Sequence, residues 1–132
     1  MPQSFNISGP WGGRYWYNDF IEEPVPFSAW LSVVDGALTG TTLEPNTFLF
    51  NGPEELDAEL QGGVHGALVQ FDKVYPGVEQ PAVWYDGLLS EAGNRIFGSW
   101  VFRKPGELSG RFEMTRIMTK TRATAGASAR AR

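Results

Sequence analysis

The chain has 132 residues, 42% hydrophobic and 20% charged, with sixteen Gly, nine Pro, five Trp and no Cys. That is one domain's length, with apolar residues enough for a core and a Gly/Pro/aromatic mix that suits short strands and tight turns. It excludes disulfides, cysteine–zinc sites and thiol catalysis, and no apolar run approaches the ~20 residues of a membrane-spanning helix. The net charge of −4 comes from 11 Lys/Arg against 15 Asp/Glu and is unevenly placed. Lys120, Arg122, Arg130 and Arg132 lie in the last fourteen residues, which hold no acid. Residues 1–118 are therefore read as one acidic barrel domain, and 119–132 as a basic, low-complexity, flexible tail. An acidic body argues against phosphate-backbone binding, so any nucleic-acid contact would fall to that tail. The start, Met1 to Ser8, shows neither a basic region nor an apolar stretch of signal-peptide type, and a cytoplasmic location without membrane contact is the expectation.

In chain order, apolar residues alternate with period two between turn residues. Trp11, Gly13, Tyr15 and Tyr17 alternate with Gly12, Arg14, Trp16 and Asn18. After Pro24-Val25-Pro26, Phe27 to Val34 forms a second strand. Asp35-Gly36 turns the chain tightly, because this dipeptide tolerates positive φ angles, and Ala37 to Glu44 returns. Pro45 to Asp57 is a longer connection in which Glu54-Glu55-Leu56-Asp57 fits one helical turn. Strands are predicted near 58–64 and 67–74, then over 82–89, 95–103 and 110–118. Gly40, Gly62, Gly98 and Gly110 sit in or beside strands, where Gly marks bends that a small barrel needs. Eight sequential strands with short links predict an all-β fold, an eight-stranded antiparallel up-and-down β-barrel whose closure removes its edges. A two-sheet sandwich is the alternative.

Gly9-Pro10-Trp11, opening the first strand, and the hairpin Asp35-Gly36-Ala37-Leu38-Thr39-Gly40-Thr41 resemble the avidin and streptavidin branch of the calycin superfamily, which also holds lipocalins. Val83-Trp84-Tyr85-Asp86-Gly87 followed by Ile96-Phe97-Gly98-Ser99-Trp100 is similar in layout to a later avidin hairpin. The resemblance implies a closed barrel in which the Trp11 indole packs against a basic residue of the last strand, here Arg116. It also implies barrels that pair. It does not carry biotin binding over: Asn18 matches one family position, but Thr42 and Glu44 stand where the family has Tyr and Ser.

Alternation places Trp11, Tyr15, Tyr17, Phe27, Ala67, Phe71, Tyr85, Trp100, Phe102 and Phe112, among others, on the inner face. The polar residues falling with them are Thr42, Glu44, His65 and Arg116. A buried carboxylate needs a partner, so Glu44 is expected to meet Arg116 or a tyrosine hydroxyl. Tyr15, Tyr17, Thr42, Glu44, Tyr85 and Trp100 are the candidate ligand-binding residues, and Trp11 and Arg116 the structural closure. Outward-pointing Trp16, Trp30, Trp84 and Phe97 are the candidate oligomer interface, giving a homodimer or homotetramer. His65, the only His, falls in a Gly-rich bend and reads as an exposed turn residue rather than an acid/base or haem ligand. The acidic run Glu54, Glu55, Asp57 and Glu59 lacks the spacing of a calcium loop. No nucleophile motif, phosphate loop or metal set emerges, so no catalytic residue, metal or cofactor is assigned. The expected function is non-enzymatic binding of a small hydrophobic or amphipathic ligand inside the barrel. The alternatives are an oligomeric interaction barrel with a filled interior, and a small barrel isomerase or cyclase using Glu44 or His65 with a Tyr.

Overall fold

The computed structural model describes residues 6–18, 23–47, 51–78, 80–103 and 108–118. Eight strands run in order: β1 (Gly9–Tyr17), β2 (Val25–Val34), β3 (Ala37–Pro45), β4 (Glu55–His65), β5 (Leu68–Val74), β6 (Val83–Leu89), β7 (Arg95–Phe102) and β8 (Ser109–Arg116). Each pairs antiparallel with the next, and β1 pairs with β8 from Trp11↔Arg116 to Tyr17↔Gly110, closing the barrel. This is the up-and-down barrel the alternation predicts, a form consistent with a calycin-like fold. The sandwich alternative is excluded.

The period of two is visible in burial. Along β2, Val25, Phe27, Ala29 and Leu31 are buried while Pro26, Ser28, Trp30 and Ser32 are exposed. Register is fixed because a one-residue slip would turn every inner residue outward. The Asp35-Gly36 turn has φ of 52° and 80°, the two positive angles of a type I′ hairpin. Close strand approach explains two of the predicted bends. A Cβ at Gly62 would run into the Gln70 carbonyl and the Phe71 Cα, and one at Gly110 into the Trp16 carbonyl.

Several expectations are corrected. Glu55-Leu56-Asp57 belongs to β4 rather than to a helical turn, because Leu56 and Ala58 point inward and continue the alternation to Leu60. Gly62 to His65 is strand, and the turn falls at Gly66, with φ of 58°. Ala67 lies in that turn and is exposed, not interior. His65 is exposed at the end of β4 rather than part of an inner polar set. The proposed tail, 119–132, lies outside the described residues.

The two ends of the barrel differ. At one end the connections are the tight turns at 35–36 and 66–67 and the short link at 90–94. The chain approaching β1 crosses this end, and Ile7 is buried there. The Trp11 indole N–H donates to the Ile7 carbonyl at 2.8 Å, and the Arg116 guanidinium donates to the carbonyls of Asn6 (3.0 Å) and Ser8 (2.8 Å). That guanidinium also lies 5.5 Å from the Trp11 ring. Trp11 and Arg116 thus meet, and their bonds hold the entering chain across this end of the barrel as a plug. The middle is filled by side chains including Leu31, Leu60, Val69, Phe71 and Phe112. At the other end the connections are longer, 18–24, 46–54, 75–82 and 103–108. That end holds the candidate site.

Candidate functional site

Strand direction decides what reaches the open end: the C-terminal halves of β1, β3, β5 and β7 and the N-terminal halves of β2, β4, β6 and β8. Inward positions there carry Tyr15 and Tyr17 from β1, Glu44 from β3, Lys73 from β5, Val83 and Tyr85 from β6, and Trp100 and Phe102 from β7. Tyr75, just past β5, joins them. Together with Gln80 and Leu108 the aromatic and apolar members surround a cavity of about 230 Å³. The rings stand edge to face: Tyr17–Trp100 centroids are 5.2 Å apart at 89°, Tyr15–Trp100 5.9 Å at 79°, and Tyr15–Tyr17 6.1 Å at 65°. This is the arrangement the ring quadrupoles favour. The Trp100 indole N–H is spent on the Trp16 carbonyl, 3.1 Å away, which fixes the ring as a wall.

Beneath the rings sits a buried ion pair. Lys73 Nζ donates to Glu44 Oε1 at 2.5 Å, and each side chain is 2% or less exposed. Glu44 Oε2 accepts from the hydroxyls of Tyr15 (2.9 Å) and Tyr75 (3.0 Å). The carboxylate is thereby satisfied by three donors. The ammonium, with one N–H on Glu44, lies 5.0–5.6 Å from the ring centroids of Tyr15, Phe27, Tyr75 and Tyr85. Ring faces therefore supply the remaining negative potential around it. Desolvation lowers the Lys73 pKa, opposed by Glu44. Desolvation, followed by the Glu44 charge, raises those of Tyr15, Tyr75 and Tyr85.

Glu44 is buried and partnered, as expected, but its cationic partner is Lys73 and not Arg116, which lies at the opposite end of the barrel. Tyr15, Tyr17, Tyr85 and Trp100 come together around the cavity. Thr42 does not line it: it is buried between Ala29 and Ala58, and its Oγ1 has no hydrogen-bond partner among the described residues. Lys73 and Tyr75 were missed. The signal for Lys73 was present, since it continues Val69 and Phe71 at a spacing of two. Tyr75 lies beyond the strand, where alternation gives no direction.

The four outward aromatic residues are not brought to one place. Trp16 and Phe97 share an outer groove, Trp30 lines another on β2–β4, and Trp84 lies under Arg103, whose guanidinium is 4.5 Å from its ring. Arg14 covers Trp16 at 5.3 Å and Arg95 covers Phe97 at 4.9 Å. Among the described residues, no group of three or more His, Cys, Asp or Glu is placed to hold a metal ion, and no helix is long and apolar enough to cross a membrane.

The pKa directions carry a prediction for alkaline stability. Unfolded tyrosines lose their protons near pH 10, whereas Tyr15, Tyr75 and Tyr85 keep theirs to higher pH in the barrel. Above about pH 10 the folded state therefore binds more protons, and its stability falls as pH rises. Lys73, with a lowered pKa, acts in the opposite sense up to its unfolded value of 10.5, but it is one group against three. Urea midpoints measured across this range should fall steeply beyond about pH 10, and Tyr85→Phe should make the fall shallower. A midpoint that stays level there would mean that these hydroxyls are not buried.

Comparison with known proteins leaves the geometry to speak alone: the chain matches no family model, and no curated protein or solved structure matches it significantly.

Proposed function

We propose that this protein binds a small hydrophobic or amphipathic molecule in the open end of its barrel, without chemically altering it. The observation that carries the reading is the cavity of about 230 Å³. The rings of Tyr15, Tyr17, Tyr85 and Trp100 are large enough to fill this part of the interior, yet they leave a space between them. Apolar walls with a few fixed polar atoms are what a small-molecule site requires. The acid/base alternative has less support, because Glu44 is held by three donors and lies behind the rings.

Native mass spectrometry of protein purified without refolding tests this reading. A bound mass of a few hundred daltons at most, lost on denaturation, is the expected result. If the protein is bare and hydrophobic probes added in excess also leave it bare, the reading fails.

The same spectrum addresses a second reading, an oligomeric barrel working through its outer wall. One observation favours it: Leu68, Leu88 and Phe97 lie opposite one another on β5, β6 and β7, exposed by 42%, 46% and 37%. A row of that kind is a contact surface in many proteins. The Gly-x-Trp and hairpin resemblance to avidins, whose barrels pair, points the same way, to a homodimer or homotetramer. Phe97→Asp is expected to convert such an oligomer to monomer; a wild-type protein that is monomeric at every concentration would dispose of it.

A further inference from the structure

The polar atoms that the cavity presents restrict its occupant further. We infer that the site takes a small, uncharged, ring-containing molecule bearing one hydroxyl or similar hydrogen-bonding group, a substituted phenol being the simplest case. This inference rests on the ligand-binding reading above and names its ligand class.

Size comes first. At about 230 Å³ the cavity is smaller than the ~300–1,000 Å³ of sites for drug-sized ligands. It suits one or two fused rings rather than a lipid chain. Shape agrees, since a flat ring entering among Tyr17, Trp100 and Tyr85 extends the edge-to-face array already present.

Charge comes next. The charged groups under the rings are Glu44 and Lys73, and they are neutralised by each other. The pair is neutral whichever of the two holds the shared proton. Among the described residues that line or underlie the cavity, an anionic ligand would find no cation that is not already paired, and it would leave water at a large desolvation cost. A cationic ligand would meet ring faces, but Lys73 already occupies one side of Tyr15, Tyr75 and Tyr85.

Hydrogen bonding narrows the class. The Tyr15 hydroxyl donates its only proton to Glu44, so toward the cavity its oxygen accepts. The Tyr85 hydroxyl makes no hydrogen bond among the described residues, and its residue, 3% exposed, lines the cavity. Tyr85 is held by its ring, stacked on Phe71 at 5.0 Å and 12° and edge-on to Phe112 at 4.9 Å. A ligand's polar group can therefore take a hydrogen bond there that no group among the described residues competes for. A ligand hydroxyl can accept from Tyr85 and donate to a tyrosine oxygen, which an alkyl group cannot do.

The test uses the full chain with five probes: 4-methylphenol, toluene, 4-methylbenzoate, benzyltrimethylammonium and a long-chain fatty acid. Binding is read by calorimetry and by NMR contacts to the Trp100 indole, for wild type and for Tyr85→Phe, whose fold is checked by its melting curve. The expected result is that 4-methylphenol binds roughly 3–10-fold more tightly than toluene, the effect of one net hydrogen bond. In Tyr85→Phe the ratio of the two affinities should fall to about one. Equal affinities of the two in wild type, or a preference that survives Tyr85→Phe, would overturn the class. So would tighter binding of the benzoate, the quaternary ammonium or the fatty acid, and in each of these cases the ligand-binding reading itself stands. If none of the five perturbs the Trp100 signals, both fall together.

Discussion

Glu44→Gln and Lys73→Met are each expected to destabilise the barrel by about 3–5 kcal/mol, the cost of leaving half of a buried ion pair uncompensated. In Glu44→Gln the ammonium stays among the Tyr15, Phe27, Tyr75 and Tyr85 rings with no counter-charge. In Lys73→Met the carboxylate keeps two tyrosine hydroxyls but loses the ammonium paired with it. The double variant should recover most of the loss. It removes both charges, keeps a side-chain oxygen to accept from Tyr15 and Tyr75, and replaces the lysine stem with one of similar length. Buried pairs exchanged for apolar groups often cost nothing. Urea unfolding of the four proteins makes a double-mutant cycle. A double variant as unstable as the sum of the two single variants would show that Glu44 and Lys73 do not interact.

That pair shows where the sequence could be read and where it could not. Alternation alone put Tyr15, Tyr17, Tyr85 and Trp100 on one face, because strand geometry admits only two directions. The same rule, carried one step past Phe71, places Lys73 inside. Lysine is ordinarily a surface residue, and its burial makes sense only once Glu44 is seen across the barrel. Sequence distance hid that meeting: the two residues are 29 apart and on β3 and β5. Arg116 was the wrong partner for a reason of direction. Residues near the end of an even strand and near the end of an odd strand lie at opposite ends of an up-and-down barrel. Arg116 ends β8 and Glu44 ends β3, so they cannot touch. The topology needed for that conclusion was already predicted. The cavity was not legible in any such way, since whether aromatic rings fill a barrel or leave space depends on their rotamers.

The two ends divide their tasks. The plugged end ties the entering chain down through the Trp11 indole N–H and the Arg116 guanidinium. The open end spends its aromatic surface on a cavity, and its buried charges hold two of the tyrosines, Tyr15 and Tyr75, in place. A preorganised wall loses little freedom on binding, which raises affinity for a small ligand. This division means that damage to one end is expected to leave the other's chemistry intact as long as the barrel stays closed.

Trp11→Ala tests that separation with the largest single loss expected at the plugged end, about 3–5 kcal/mol for removing a fully buried tryptophan. Three interactions go with the indole: its N–H bond to the Ile7 carbonyl, its contact with the Arg116 guanidinium, and the apolar seat under Ile7. Trp11→Phe keeps an aromatic seat and loses the N–H donor, so its cost should be visibly smaller. Arg116→Ala should lose about 1–3 kcal/mol, because two carbonyls lose a charged donor at a half-buried site. Combined with Trp11→Ala it should cost less than the sum, since both residues hold the same entering chain. Ligand affinity at the open end should change little in Trp11→Phe, measured where the variant is still folded. If Trp11→Ala unfolds at the wild-type urea concentration, the plug is not what closes the barrel, and β1–β8 pairing alone must hold it.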